Sequence, residues 1–290
     1  MQTRLLLAAA TVAASLYTAP LHAAGDEPHR LDFPFREAST ADYAVIAGGG
    51  VAYGVLALLV PPATEARWAS PVLFDRGVRN SLLAPTRAAR ARADLVSDIG
   101  IVTSLALLAG DSILIAGFLD DNFDVARELF FMDAQVFALS GTLLHTLQLS
   151  IARTRPDFEP CRNDATHSYH CDRTRNTSFP SGHATTVFAS AATYCAHRFK
   201  LELYGHPAAD AVGCGVQFGG AFATALLRVV ADRHHATDVA AGALLGTTLG
   251  LGVPLLVRAS AENSTKGRGA ALVLAPSLGA TPGLALAGSF

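Results

Sequence analysis

Two histidine-containing clusters and an upstream arginine bring together the side chains of this sequence that are best suited to chemistry. The residues are Pro180-Ser181-Gly182-His183 in the first cluster, Arg228, His234 and Asp238 in the second, and Arg155-Pro156 upstream. Together they supply two imidazoles, two guanidinium groups, one carboxylate and a Ser-Gly turn. These are the groups needed to hold a phosphate and to break a bond to it.

The spacing within the second cluster predicts how its residues cooperate. Asp238 lies four residues after His234, so a helical turn between them would let the carboxylate face the imidazole. Such a carboxylate fixes one ring nitrogen as a donor and leaves the other as a nucleophile. Arg228 ends an apolar stretch shortly before His234, where a guanidinium can fork onto two phosphate oxygens.

The other two elements predict the remaining walls of an anion site. Ser181 and Gly182 precede an apolar run, so their N–H groups are expected at a helix N-terminus, where anions bind. Arg155 stands just before Pro156, where a helix normally stops, and can project into a pocket. Each feature alone has a plainer explanation as a helix cap, a neutral dipeptide or a surface pair. Only their combination and order indicate a phosphate site.

In these residues the chain resembles the type 2 phosphatidic acid phosphatases, which share their site with bacterial class A acid phosphatases and vanadium haloperoxidases. The family pattern is K-x6-R-P, then P-S-G-H, then S-R-x5-H-x3-D. The second block is complete, the third has Leu227 in place of serine, and the first has Gln148 in place of lysine. The resemblance covers residues 94 to 258.

The resemblance implies a role for each matched residue. His234 would attack phosphorus, Asp238 would orient it, and His183 would protonate the leaving oxygen. The phosphoryl oxygens would be held by Arg155, Arg228, Ser181 and Gly182, with Gln148 as a fifth group. No metal or other cofactor is implied, and vanadate would be bound only by a haloperoxidase.

The glutamine is the departure with the clearest physical consequence. Gln148 and Arg155 are two helical turns apart and are expected on one helix face. A glutamine donates a hydrogen bond but supplies no charge, so weaker phosphate binding is expected. Arg153 is a candidate for the missing cation, although it lies about 140° around the helix from Gln148.

Composition places the chain in the membrane class. It is 51% hydrophobic and 16% charged, against about 25% charged in soluble proteins. The net charge of -2 and the lack of a basic run give no indication of a nucleic-acid partner. Arg4, an apolar stretch from Leu5 to Tyr17 and the small pair Ala23-Ala24 predict a signal peptide over residues 1–24, with an uncleaved anchor as the alternative.

An all-α bundle of about six core helices is predicted, most simply transmembrane, with a soluble bundle as the alternative. The apolar segments are Tyr43–Ala63, Ile99–Leu119, Leu129–Ile151, Ala184–His197, Ala211–Leu227 and Val239–Val257. Asp111 and Asp133 interrupt two of them and are expected to face the bundle interior. The predicted organisation is a polar segment 25–42, the bundle 43–260 and a tail 261–290 that forms a β-hairpin or is disordered.

Loop composition gives conflicting indications of topology. Six arginines between Glu65 and Asp94 favour a cytoplasmic loop. Cys161 and Cys171 favour a disulfide in an oxidising compartment, with a zinc site that adds His167 and His170 as the alternative. The signal peptide and the cysteines outweigh the arginines, so Ile99–Leu119 is the first choice for a segment that does not cross. Cys195 and Cys214, within apolar helices, are predicted to be buried thiols.

The predicted function is hydrolysis of a phosphomonoester or pyrophosphate, most simply of a lipid, through a phosphohistidine. The site would face the periplasm from a bacterial-type inner membrane or lie in a periplasmic protein. The expected partners are the membrane and a phosphorylated lipid or a small phosphate ester. Two alternatives are a vanadium-dependent haloperoxidase and a non-catalytic protein that binds phosphate or phospholipid.

Overall fold

The computed structural model describes residues 33–171 and 176–259, together with the backbone of residues 271–278 and 282–289. The predicted signal peptide lies outside these residues. The described part contains eight α-helices: α1 (Thr40–Leu58), α2 (Asp75–Leu82), α3 (Arg87–Ala109), α4 (Phe123–Ile151), α5 (Phe158–Asn163), α6 (Gly182–Leu201), α7 (Pro207–Val230) and α8 (Ala236–Gly252). π-Helical turns extend α3 through Gly110–Leu119 and α8 through Val253–Val257.

The predicted all-α bundle is confirmed, and its six long helices correspond to the six apolar segments. The first helix ends at Leu58 rather than at Ala63, because Pro61 and Pro62 follow and cannot continue a helix. In the tail, strands β1 (Ala271–Leu278) and β2 (Pro282–Ser289) pair in antiparallel fashion, with Ala271 opposite Ser289.

Helix α6 lies at the centre of the bundle and packs closely on α8. Gly242, Gly246 and Gly250 form a ridge on α8, and a Cβ atom added at Gly246 would lie 2.2 Å from the carbonyl oxygen of Thr185. Only glycine permits such an approach of two helix backbones, as in membrane helix pairs with small interface residues. The contact brings the N-terminal ends of α6 and α8 together, and these ends carry the predicted chemistry.

Four helices of the described part are long and apolar enough to cross a membrane: Thr40–Leu58, Arg87–Leu119, Pro207–Val230 and Ala236–Val257. Ile99–Leu119, the segment expected not to cross, therefore belongs to a helix with the length and composition of a span. Asp111 and Asp133 are both buried, as predicted for polar residues in apolar segments. Asp111 accepts hydrogen bonds from Arg198.

Two disulfides link the described cysteines. Cys161 and Cys171 are bonded and close the loop that begins in α5. Cys195 of α6 and Cys214 of α7 are also bonded, so the prediction of two buried thiols was wrong. Two helices that pack in contact brought their Cα atoms to 5.1 Å, a separation suited to a disulfide that the sequence spacing could not reveal.

Candidate active site

His234 lies in the short connection between α7 and α8, at the end of the bundle where α4 also ends and α3 and α6 begin. Its side chain is buried, and Nδ1 lies 2.8 Å from the carbonyl oxygen of Ser178. A carbonyl can only accept, so Nδ1 carries the proton and Nε2 keeps its lone pair. The imidazole is therefore held in the tautomer that a nucleophile requires.

Asp238 does not make the direct hydrogen bond to His234 that the spacing predicted. Its Oδ2 lies 3.8 Å from His234 Nδ1, which is too long for a hydrogen bond. The carboxylate instead accepts from Ser178 Oγ at 2.6 Å, from the amide of His235 at 2.9 Å, and from Arg153. Because Ser178 supplies the carbonyl that holds the imidazole, Asp238 orients His234 through Ser178.

Arg155 approaches the lone pair of His234 from the segment that follows α4. Its Nη1 donates to the carbonyl oxygen of Arg233 at 3.1 Å and lies 3.5 Å from His234 Nε2. Helix α4 ends at Ile151 and Ala152 adopts a left-handed φ of 47°, so Arg155 lies outside the helix. The expectation that Gln148 and Arg155 share one helix face was therefore wrong.

The charges of Arg233 and Arg228 act on Arg155 more strongly than those of Asp157 and Asp238, which partly offset them. Among the described residues Arg155 forms no ion pair with a carboxylate. Burial, together with the neighbouring Arg233 and Arg228, lowers the pKa of Arg155 to about 9. A guanidinium whose charge is disfavoured in this way would be stabilised by a bound anion.

Arg228 lies at the C-terminal end of α7 and is buried. Its Nη1 contacts the carboxylate of Asp94 and donates to Ser97 Oγ at 2.8 Å. His170 Nε2 lies 2.9 Å from the other oxygen of Asp94. Helix α3 thus fixes one nitrogen of the guanidinium, and the cradle formed by Arg155 and Arg228 has one paired and one unpaired arginine.

The Pro180–His183 turn leads into α6 at the same end of the bundle. Helix α6 begins at Gly182 with Ser181 as its N-cap, as predicted, and the Ser181 amide donates to the carbonyl oxygen of Asp238 at 3.0 Å. First-turn amides of a helix lack intrahelical acceptors and favour an anion. Gln148 Nε2 donates to the carbonyl oxygen of Pro180 at 3.0 Å. Gln148 therefore faces this turn and supports it.

Burial and nearby arginines favour the neutral form of both His183 and His234. Burial lowers the pKa of His183 to about 4, and Arg228 adds to this effect. Asp98 opposes the shift, because its Oδ1 lies 2.7 Å from His183 Nε2 and favours the charged imidazole. Burial, followed by the charges of Arg155 and Arg228, lowers the pKa of His234 well below its ordinary value. The neutral His234 retains the lone pair that attack on phosphorus needs.

Arg153 does not replace the missing lysine, so that expectation was wrong. Its side chain is fully buried and turns away from the cradle, with Nη2 donating to Asp75 Oδ2 at 2.6 Å and Nη1 bonded to Asp238. The guanidinium stacks 3.8 Å from the centre of the Trp68 ring. Two carboxylates neutralise this arginine, which explains why it is not available to a phosphate.

The sequence interpretation missed the residues that support the site from outside the motifs. They are Asp75 and Arg79 of α2, Asp94 of α3, and Trp68, Ser178 and Arg233. Two of their contacts, Asp75 with Arg153 and Asp94 with Arg228, join residues far apart in sequence. A local sequence pattern cannot predict such contacts. Asp98, the partner of His183, was not predicted as a site residue either.

Two cavities open beside these residues. A cavity of about 240 Å³ between α3 and the disulfide-closed loop is lined by Asp94, Asp98 and Arg233, among others. A larger cavity of about 560 Å³ is lined by α2, by Arg155 and by His235, among others. Asp98 joins the smaller cavity to His183, whose Nε2 lies 2.7 Å from Asp98 Oδ1.

Comparison with known proteins agrees with this geometry. Residues 134–262 match the family model described as the PAP2 superfamily. This part of the chain is similar to the PAP2 superfamily. The predicted resemblance is thereby confirmed, and all residues of the three sequence blocks fall within the match.

One similar protein carries a functional name. Over 120 residues the chain is 35% identical to a protein of Porphyromonas gingivalis named Lipid A 1-phosphatase. The alignment covers 41% of this chain and 21% of that relative, so the chain matches about a fifth of its length. No solved structure gives a significant match.

Proposed function

We propose that this protein is a phosphatase that hydrolyses a phosphomonoester or pyrophosphate of a membrane lipid through a phosphohistidine. The observation that carries the proposal is Arg155, a guanidinium without a carboxylate partner among the described residues, 3.5 Å from the Nε2 atom of a neutral histidine. An anion bound to Arg155 would lie next to the lone pair of His234. The PAP2 match and the name of the relative support the same reaction.

In the proposed reaction, Arg155, Arg228 and the first-turn amides of α6 hold the oxygens of the phosphoryl group. His234 Nε2 attacks phosphorus as the bond to the leaving oxygen breaks, and a P–N bond forms. The charge that develops on the imidazole is stabilised at Nδ1, whose N–H donates to Ser178. Preorganised donors of this kind stabilise the transition state without reorganisation.

His183 serves as the general acid in the first step of the proposed reaction and as the general base in the second. As an imidazolium it protonates the leaving oxygen, and as a neutral imidazole it then takes a proton from the water that attacks phosphorus while the P–N bond breaks and frees His234. Its pKa of about 4 in the free protein is too low for this role at neutral pH. A bound phosphate carries negative charge close to the ring and, together with Asp98, would raise the pKa.

The lipid substrate is proposed from the surroundings of the site. The site lies at the end of a bundle in which four helices have the length and composition of membrane spans. A phosphate at the bilayer surface would reach this end of the bundle while its acyl or prenyl chains remain among the helices. The disulfide Cys161–Cys171 lies in a loop at the same end and favours a site that faces an oxidising compartment such as the periplasm.

Phosphate release from a substrate panel tests the proposal. The panel comprises phosphatidic acid, an isoprenoid pyrophosphate, a lipid A and p-nitrophenyl phosphate, each incubated with the detergent-solubilised protein. We expect release from at least one lipid at a rate well above that from p-nitrophenyl phosphate, and none from a folded His234→Ala variant. Binding of vanadate without release of phosphate from any panel member would contradict the proposed phosphatase activity and favour the non-catalytic alternative.

A further inference from the structure

Helix α2, which lies outside the residues matched by the family, contacts the segment that carries His234 at two points. Asp75 and Arg79 are four residues apart and therefore project from one face of the helix. The nucleophile segment runs from Asp232 to Asp238, with His234 between the two contacts. Neither Asp75 nor Arg79 belongs to any of the three sequence blocks.

Arg79 binds the N-terminal side of the nucleophile segment. Its Nε and Nη2 atoms donate to the two oxygens of Asp232 at 2.6 and 2.7 Å. This is the bidentate geometry that gives an arginine–carboxylate pair both strength and direction. Asp232 is buried and has a left-handed φ of 61°, a conformation that a residue other than glycine adopts only when its surroundings enforce it. The ion pair supplies that enforcement two residues before His234.

Asp75 binds the C-terminal side of the same segment. Its Oδ1 accepts from the amide of Thr237 at 2.9 Å and its Oδ2 from Thr237 Oγ1 at 3.0 Å. Thr237 lies in the first turn of α8, where a carboxylate is stabilised by unpaired amides. Oδ2 also accepts from Arg153, which binds Asp238 in turn. Asp75 therefore fixes the start of α8 directly and, through Arg153, also fixes Asp238, which bonds to Ser178.

We infer that Asp75 and Arg79 are positioning residues for the proposed phosphatase reaction. They hold the Asp232–Asp238 segment at two points, so that His234 Nε2 is directed at the phosphorus held by Arg155 and Arg228. This inference rests on the proposed function. In the described part of the chain Asp75 and Arg79 bond to Asp232, Thr237 and Arg153 but to neither arginine of the cradle, so loss of their contacts is expected to lower the rate of attack and to leave anion affinity unchanged.

The test compares two arginines of α2 in the full-length protein. In Arg79→Gln, kcat for the best panel substrate is expected to fall about 100-fold, the scale of a misplaced reacting group. The inhibition constant for orthovanadate should stay at the parental value. The control is Arg76→Gln, which removes an exposed arginine of the same helix and should leave both constants unchanged.

Arg79→Lys keeps the charge and loses the bidentate fork, so it guards against a variant that fails to fold. We expect a melting temperature close to that of the parent and a kcat between those of the parent and Arg79→Gln. Asp75→Asn keeps an acceptor for the Thr237 amide and should also lower kcat without changing vanadate inhibition.

Two results would overturn the inference while the proposed function stands. One is a folded Arg79→Gln or Arg79→Lys protein with parental kcat. The other is a loss of vanadate affinity as large as the loss of kcat, which would mean that α2 supports the arginine cradle and not the nucleophile. A parent protein without turnover on the whole panel would contradict the proposed function itself, and the inference with it.

Discussion

The two ends of the helical bundle both bury arginines, but they differ in whether each arginine has a carboxylate partner. At the far end, Arg198 donates to both oxygens of Asp111 at 2.6 and 3.0 Å, and Arg258 donates to Glu128 at 2.6 Å. At the site end, Arg155 has no carboxylate partner among the described residues. Paired arginines link helices through ion pairs, whereas an unpaired arginine beside a neutral histidine indicates a candidate anion-binding site.

Within the site end the same contrast separates Arg153 from Arg155, two residues apart in sequence. Arg153 is fully buried between Asp75 and Asp238, while Arg155 faces His234 Nε2. The sequence predicted Arg155 as a phosphate ligand and also offered Arg153 as a replacement for the missing lysine, and the structure supports only the first of these. The tertiary partner, and not the residue type, decides whether a buried arginine is structural or available to a ligand.

Substitution of the unpaired and paired arginines should produce the largest contrast. Arg155→Gln is expected to lower kcat/KM about 100-fold or more, because it removes a charged donor from the transition state, with little change in melting temperature. Arg198→Gln leaves Asp111 without its partner and should destabilise the fold by about 3–5 kcal/mol. Its folded fraction should keep parental activity. Equal effects of the two substitutions on kcat/KM would remove the distinction between the two ends.

The pH dependence should follow the proton donor. His183 has a pKa of about 4 in the free protein, so its charged fraction falls about tenfold per pH unit above that value. We therefore expect kcat/KM to decrease as pH rises from 5 to 8. Asp98→Asn removes the negative charge that favours the imidazolium, so the pKa of His183 falls and the decline moves to lower pH.

Comparison of the Asp98→Asn and parental pH profiles with one substrate cancels the ionisation of the substrate itself. The prediction would be contradicted if the pH profiles of kcat/KM for the parent and for Asp98→Asn superimposed, or if kcat/KM rose with pH. Either would show that His183 is not the proton donor.

Restoring the family lysine should have a smaller effect. Gln148 Nε2 donates to Pro180 in the turn that precedes α6, so a lysine there would place an ammonium beside the first-turn amides. Gln148→Lys is expected to lower the inhibition constant for vanadate about tenfold, equivalent to about 1.4 kcal/mol. Vanadate titration of the folded variant would provide the measurement. Unchanged inhibition would mean that position 148 supports the turn alone.

The last prediction concerns the reactivity of the cysteines, which reports on the compartment that each end of the bundle faces. Both disulfides should resist alkylation in native protein until reductant is added. Cys161–Cys171 lies at the site end and Cys195–Cys214 lies toward the far end. Mass spectrometry after alkylation would identify any free thiol. Labelling of Cys161 and Cys171 without reductant would remove the argument for an extracytoplasmic site.

The sequence predicted the parts of the site that are encoded locally. The helix start at Gly182, the Ser181 cap and the position of His234 between two helices follow from turn residues and apolar runs. The break after Ile151 did not follow, because nothing in the local pattern shows that Ala152 turns left-handed. The supporting contacts were also hidden, since Asp75 meets Arg153 only after distant segments have packed together.

The most direct test of the central claim is to trap the covalent intermediate. Rapid acid-free quenching of the parent with the best panel substrate, followed by peptide mass spectrometry, should place a phosphoryl group on His234 as an acid-labile, base-stable adduct. The adduct should be absent from His234→Ala, which should also lack turnover. A folded His234→Ala protein with parental turnover would contradict the assignment of His234 as the nucleophile.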